Sequence, residues 1–352
     1  MLFRSRNKNM NTRHLNKVRL WLTSLIVMII VMIIIGGITR LTHSGLSMVE
    51  WKPLMGSIPP LTDTDWQTVF EKYKQFPEYQ TRNKGMSLPE FKKIFFWEYL
   101  HRLWGRLMGI VLLLPFLFFY KNNYFDAKLK FRTLVIFGLG MLQGLAGWYM
   151  VKSGLSDIPE VSHFRLALHL GLALLILGYI FWTLLDLNSE KSVHSNRIKG
   201  SSLYYKVHLL FGLLIIQILY GAFTAGLKAG FMMNTFPKMG DSWLPPVPIK
   251  LFLSLNGILS NAFVVQFIHR WLGLGSILFT LFIVFSAYKN YKLKPTQKAA
   301  INTLLGLMTC QFLLGILTLL KAVPLFLGVA HQFIAVLLFL SLIYTVYTFR
   351  SN

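Results

Sequence analysis

Eight long apolar stretches, separated by polar segments, dominate the pattern of this 352-residue chain. Each stretch is long enough to cross a membrane as a helix, which takes about 20 mostly apolar residues. The pattern therefore predicts an all-α polytopic membrane protein with eight transmembrane helices. The predicted spans are residues 20–38, 95–120, 133–151, 166–186, 205–227, 262–288, 299–320 and 326–348.

The polar segments between the spans predict how the chain is oriented. Lysine and arginine accumulate in the cytoplasmic loops of membrane proteins. With eight spans, the basic segments all fall on one side: residues 1–19, 121–132, 191–206, 289–298 and Arg350. Both termini are therefore predicted to be cytoplasmic, with residues 1–19 as a basic tail and residues 187–204 as a linker.

The long segment 39–94, between the first two spans, is predicted to lie on the outer side. It is too rich in aromatic residues and proline for a solvated linker, with Trp51 and Pro53 among them. We expect a short interfacial helix at 65–73. A helix start at 88–93 is expected to lead into the second span.

Composition agrees with a membrane protein and excludes other classes. The chain is 54% hydrophobic and only 14% charged, whereas a soluble domain carries about a quarter charged residues. Its net charge of +23 does not indicate nucleic-acid binding, because no soluble basic domain is present to carry it. The single cysteine, Cys310, excludes an intrachain disulfide and a cysteine metal cluster. Its apolar surroundings in the sequence predict a packing role.

The N-terminus favours a bacterial inner membrane over a mitochondrial one. The first span is long for a signal-peptide core and has no small-residue cleavage site, so it is predicted to be retained. The basic tail is short and poor in serine for a mitochondrial presequence. The expected surroundings are therefore the lipids of the bacterial inner membrane.

Several short motifs recur between the two halves of the chain. The motif at 36–39 matches 221–224 at an offset of 185 residues, and the His-Arg pair at 101–102 matches 269–270 at an offset of 168. Spans follow the same order and orientation in both halves, as in parallel repeats. The sequence thus predicts two tandem four-helix bundles, residues 20–186 and 205–348, related by internal duplication.

Four histidines lie in the even-numbered spans, each about one to two turns from the outer side: His101, His169, His269 and His331. A lone histidine in an apolar helix is more often a hydrogen-bonded core residue than a ligand. Four at matched depth, two in each half, indicate cofactor sites, because bundles hold cofactors between facing helices. Neutral imidazole is a good iron ligand. Haem fits better than zinc or copper, because no cysteine, aspartate or further histidine clusters near either pair.

Arg102 and Arg270 directly follow two of these histidines, near the outer face. A guanidinium pairs strongly with a carboxylate at low dielectric, so both arginines are candidates to bind haem propionates. Snorkelling to lipid headgroups is the alternative.

The two halves differ three residues before the histidine, where Glu98 stands in the first and Gln266 in the second. A buried carboxyl beside one site only predicts proton transfer in the first half and electron transfer or simple cofactor binding in the second. A structural pair between Glu98 and Arg102, four residues apart, is the alternative.

These motifs resemble the haem A synthase family, in the form shared by proteobacteria and mitochondria. The resemblance covers nearly the whole chain and is strongest at residues 98–106. Further matching stretches are 36–47, 50–53, 59–61, 76–79, 163–170 and 266–270. The chain lacks the outer-loop cysteine pair of some Gram-positive members, so a thiol relay like the one proposed for them is excluded.

The resemblance implies an eight-helix enzyme that oxidises the C8 methyl group of haem O to a formyl group. The implied route is two successive hydroxylations and loss of water, giving haem A for cytochrome oxidase. It implies that His269 and His331 ligate the iron of a resident haem b, and that His101 and His169 flank the iron of the substrate haem. Glu98 would be the acidic residue of the catalytic half. A haem O synthase is the implied source of substrate, and the electron acceptor is unidentified.

Two other functions are compatible with the residues. A di-haem b-type electron-transfer cytochrome would need neither the carboxyl asymmetry nor an opening for a haem-sized substrate. A transporter would use Glu98 and the histidines as a proton path. Broken spans would favour a transporter, yet the span centres contain little proline beyond Pro115.

Overall fold

The computed structural model describes residues 12–50, 58–155, 159–188 and 201–350. Within these ranges it contains eleven α-helices and no strands. Eight of the helices are long and apolar enough to cross a membrane. This confirms the predicted fold class: the chain is an all-α, multi-pass membrane protein.

In chain order, the helices are α1 (Thr12–Leu41), α2 (Asp63–Lys74), α3 (Pro77–Thr81), α4 (Leu88–Lys121), α5 (Ala127–Lys152), α6 (His163–Asn188), α7 (Ser202–Gly226), α8 (Leu255–Ser260), α9 (Ala262–Asn290), α10 (Pro295–Leu320) and α11 (Leu325–Phe349). The spanning helices are α1, α4, α5, α6, α7, α9, α10 and α11. Most extend beyond the apolar stretches that predicted them.

Capping side chains explain part of this extension. Asp126 accepts a hydrogen bond from the first turn of α5 and Ser201 from that of α7, and both helices begin before the apolar stretch that predicted them. Such caps satisfy backbone N–H groups that have no partner within the helix. A helix therefore begins at its cap, outside the apolar window that hydropathy detects.

Contacts divide the described residues into two compact units. The first comprises the described residues up to Val161 together with Leu172–Asn188; there α4 packs against both α1 and α5. The second comprises Ser162–Gly171 and the described residues from 201 onward. In it α7, α9, α10 and α11 pack in a closed cycle, as expected of a four-helix bundle. The internal duplication and the cytoplasmic position of both termini stay predictions.

The segment between α1 and α4 has an apolar core of its own. Phe70, Tyr73, Phe91 and Phe95 are buried together, and α2 confirms the helix predicted at 65–73. The hydroxyl of Tyr73 donates to Glu78 Oε2 at 3.1 Å. Burial raises the pKa of Tyr73 well above its usual value, since a phenolate would lose its hydration there.

Some sequence predictions concern residues outside the described ranges. These are Trp51 and Pro53 of the outer segment, residues 1–11 of the basic tail and residues 189–200 of the linker. One prediction within the described ranges is wrong: Cys310 is exposed on α10 rather than packed in the interior. Apolar runs in a spanning helix include its outward face, so the run alone did not show which way the cysteine points.

Candidate functional site

His269 and His331 belong to the same unit. His269 lies on α9 and His331 on α11, and both helices are members of the closed four-helix cycle. The Nδ1 atom of each ring is buried and has no hydrogen-bond partner among the described residues. Unpaired imidazole nitrogens in an apolar interior are costly. The pair therefore fits a site in which a bound group completes the interactions of the rings.

The number of ligands favours a haem over a bare metal ion. The described residues contain no group of three or more histidine, cysteine, aspartate or glutamate side chains placed to hold a metal. A structural zinc site needs four ligands from the protein. A haem iron takes four nitrogens from its porphyrin, so one or two axial side chains suffice. Two histidines are thus enough for haem.

Glycines make room for three of the four histidine rings. A Cβ added at the glycine would lie 3.0–3.2 Å from Cε1 of the ring, closer than ordinary contact. The pairs are Gly36 with His101, Gly221 with His269, and Gly315 with His331. Any larger residue at these positions would push the ring away. Other intramembrane glycines, such as Gly109 and Gly275, have no atom within 4 Å of an added Cβ.

Replacing Gly315 with valine is expected to displace the His331 ring and lower the haem content of the purified protein. A Cβ at this position would already lie 3.0 Å from the ring, and the methyl groups of valine would come closer still. Gly306→Val on the same helix is the matched control, because an added Cβ there has no neighbour within 4 Å. Absorbance at the Soret band per protein measures the effect. Equal haem content in the two variants would contradict the expectation.

Glu98 is buried in the first unit, with 3% of its surface exposed. Its Oε2 accepts hydrogen bonds from Ser47 Oγ and from the Met48 backbone N–H, both at 2.7 Å. Its Oε1 accepts from Arg102 Nη2 at 2.6 Å. The structural pair foreseen as an alternative for Glu98 is thus present, and the carboxylate charge is compensated by the guanidinium.

Arg102 also holds the chain that follows α1. It donates to the backbone oxygens of Met48 at 2.8 Å and Glu50 at 3.1 Å. The side chain of Glu50 in turn pairs with Lys72 of α2 at 2.7 Å. Arg102 therefore ties the segment between α1 and α2 to α4, one residue after His101.

Arg270 makes corresponding contacts in the second unit. It donates to the backbone oxygens of Met233, Thr235 at 2.8 Å and Lys238 at 3.3 Å. Met233 and Thr235 stand 185 residues after the two residues whose oxygens Arg102 holds, the same offset as the repeated motif at 36–39. Each arginine thus fixes the same two backbone positions beside its histidine.

The neighbouring side chain differs between the two units. Gln266 Nε2 donates to the Met233 oxygen at 3.2 Å, and its Oε1 is buried without a hydrogen-bond partner among the described residues. Arg270 has no carboxylate partner within the described part of the chain. The sequence asymmetry is therefore also an asymmetry of charge.

The other predicted site residues are placed as follows. His101 lies on α4 in the first unit, whereas His169 lies in the Ser162–Gly171 part of α6, which belongs to the second. Their pairing around a substrate haem stays a prediction. Contact of propionates with Arg102 or Arg270 also stays a prediction, since the described partners of both arginines are backbone oxygens and Glu98.

Ser47 and the backbone oxygens of residues 48 and 50 were not identified from the sequence. Ser47 lies within a stretch that resembles the family, which was the only signal available. Its partner Glu98 is 51 residues away, and nothing in the pattern of either stretch joins the two. In the second half, residue 232 stands at the equivalent offset and is methionine, so this hydroxyl belongs to the first half alone.

Fold and site together define a multi-pass helical membrane protein with two His-Arg motifs at membrane depth, one beside a buried carboxylate. A family model described as "Cytochrome oxidase assembly protein" matches residues 19–343. The chain is 43% identical over 326 residues to the "Heme A synthase" of Nitrosomonas eutropha, covering 92% of this chain and 90% of the relative. It therefore belongs to the haem A synthase family, and the predicted resemblance is confirmed.

Other relatives agree over similar lengths. The "Heme A synthase" of Paramagnetospirillum magneticum is 46% identical over 319 residues, 90% of this chain and 88% of the relative. That of Flavobacterium johnsoniae is 40% identical over 335 residues, 93% and 96%. The matches cover both halves of the chain, so the family assignment applies to the whole molecule.

Proposed function

We propose that this chain is a membrane oxidoreductase that converts the C8 methyl group of haem O to a formyl group, by two successive hydroxylations, to give haem A. Family membership supports the reaction. The observation that assigns the halves is the buried Glu98–Arg102 pair beside His101, which has no acidic counterpart at Gln266. The half with the carboxylate is the proposed reaction site.

The second half is proposed to hold a resident haem b. His269 and His331 are its proposed axial ligands, because they lie in one unit and their Nδ1 atoms have no other described partner. Arg270 is the proposed partner of a propionate. When bound, the haem supplies a one-electron redox centre, and the protein supplies the axial ligands and the charge. The electron acceptor beyond it is part of the proposal and is unidentified.

The first half is proposed to receive haem O between His101 and His169. Glu98 is its proposed acidic residue. Both of its oxygens accept hydrogen bonds from neighbouring donors. Of the three donors, only the Ser47 hydroxyl is both a donor and an acceptor. Ser47 Oγ is therefore the proposed point at which a proton reaches or leaves Glu98 Oε2.

The experiment is co-expression with a haem O synthase in bacteria that lack their own haem A synthase. Haems are extracted from the membranes and separated by chromatography. Haem A is expected only when this chain is present. The di-haem cytochrome alternative predicts b-type haem in the purified protein and no formyl product. Absence of haem A, with folded protein and haem O both present, would disprove the proposed reaction.

A further inference from the structure

The two equivalent arginines differ in how their charge is balanced. Arg102 pairs with Glu98 at 2.6 Å, and the two side chains are only 10% and 4% exposed. Arg270 holds the corresponding backbone oxygens, but the neighbouring side chain is the neutral Gln266. The first half therefore contains a compensated ion pair where the second contains an isolated cation.

The second half has almost no acid with which to compensate Arg270. Residues 191–352 contain a single acidic residue, Asp241. Asp241 is exposed and forms no ion pair with Arg270. A charge taken partly out of water without a partner is unfavourable. Within the described chain, nothing but a bound anion would balance this guanidinium.

The free donors of Arg270 match a carboxylate. A guanidinium has five N–H donors, and its three described acceptors are the oxygens of residues 233, 235 and 238. Its Nε is buried and has no partner among the described residues. The Nε and Nη2 groups form the edge that binds a carboxylate through two parallel hydrogen bonds. A haem propionate supplies such a carboxylate.

We propose that Glu98 and Gln266 determine how firmly each half keeps its haem. In the second half, no described carboxylate pairs with Arg270, so a propionate binds it without competition and the haem is retained as a cofactor. In the first half, Glu98 already occupies Arg102, so a propionate has to compete with it and the haem is released readily. Fast exchange suits a substrate that must enter and a product that must leave. This inference rests on the proposed function and assigns Glu98 a positioning role in addition to the proposed acidic one.

Exchanging the two residues tests the proposal on the full-length protein. Glu98→Gln is expected to fold, because the Gln266–Arg270 arrangement shows that glutamine is compatible with the same backbone contacts. Each purified variant is loaded with protohaem and mixed with excess apomyoglobin, and haem transfer is followed by absorbance. Gln266→Glu is expected to release haem at least about tenfold faster than the wild type, since a charged competitor replaces a neutral one. Glu98→Gln is expected to add a slowly released haem fraction.

Gln297→Glu is the matched control. It makes the same chemical change at a buried glutamine of the second unit, on the first turn of α10. Gln311, which contacts His331, is 14 residues further along that helix, about 21 Å away at 1.5 Å per residue. The haem release rate of Gln297→Glu should therefore equal that of the wild type. Size-exclusion elution confirms that each variant is folded.

The outcomes separate this inference from the proposed function. Unchanged release from Gln266→Glu, or no slow fraction in folded Glu98→Gln, overturns the role of the two residues. If the two exchange variants change haem release as expected but the wild type forms no haem A, the inference is supported and only the proposed reaction is disproved. Haem A formation with release rates unaffected by the exchange would disprove only the inference. Haem transfer is measured without turnover, so loss of activity in Glu98→Gln does not obscure the result.

Discussion

Alanine at His269 or His331 is expected to strip the proposed resident haem b from the purified protein. Each ring supplies one of the two side-chain ligands proposed for the iron, and the described residues contain no third candidate in a metal-binding group. Loss of one iron–imidazole bond should weaken haem binding at least about tenfold, the equivalent of about 1.4 kcal/mol. The haem-to-protein ratio after purification and the reduced absorbance spectrum measure the effect.

His208→Ala is the matched control for these variants. His208 lies in the first turns of α7, and its Nδ1 makes a hydrogen bond of 2.8 Å with the backbone oxygen of Tyr204. Removing it deletes a histidine from the same unit without touching the proposed ligands. The control should keep its haem. Wild-type haem content and an unaltered bis-histidine spectrum in both ligand variants would refute the assignment.

The spans could be predicted from the sequence because each rests on local information. About 20 consecutive apolar residues suffice to identify a membrane helix, and all eight were found this way. Their ends were harder to predict, because α5 and α7 begin at capping side chains, several residues before the edge of the apolar run. The apolar core around Phe91 was predicted only as a helix and an apolar segment.

The site was predictable only where its residues are close in sequence. The Glu98–Arg102 pair follows from helical spacing, and the structure contains it. The backbone oxygens held by the two arginines could not be foreseen, because any loop residue has such an oxygen and the loops join distant parts of the chain. The placement of His269 and His331 in one bundle likewise depends on how α7 and α10 pack against both α9 and α11. The equivalent positions of the histidines in the two halves suggested that His269 and His331 form a pair, but they did not show it.

The contacts of the two arginines also change how the Glu98 asymmetry is interpreted. The sequence suggested a carboxyl free to exchange protons. In the structure, Glu98 is hydrogen-bonded to Ser47, Met48 and Arg102, so its charge is part of the contact that holds the segment following α1. A role in proton transfer and a role in charge balance then have to be separated by experiment. The magnitude of the charge effect can be tested through Arg102.

Arg102→Ala is expected to destabilise the first half strongly. The substitution leaves Glu98 buried with only two neutral donors, and removing one partner of a buried pair typically costs about 3–5 kcal/mol. It also releases the backbone oxygens of Met48 and Glu50. Thermal unfolding of the detergent-solubilised protein, followed by size-exclusion chromatography, should show a large drop in the midpoint temperature. Trypsin should also cleave the segment between α1 and α4 faster.

Two further variants show whether the uncompensated charge of Glu98 causes the destabilisation expected for Arg102→Ala. Lys72→Ala breaks the exposed pair with Glu50, whose side chains are 44% and 45% accessible. Such pairs contribute at most about 1 kcal/mol, so this variant should unfold close to the wild type. The double variant Arg102→Met with Glu98→Gln removes both charges and should recover much of the stability lost by Arg102→Ala, because no carboxylate is left uncompensated.

If the double variant is as unstable as Arg102→Ala, the lost backbone contacts outweigh the charge. If Arg102→Ala behaves like Lys72→Ala, the pair contributes little to the fold, and Glu98 is then more accessible to protons than its bonded carboxylate suggests.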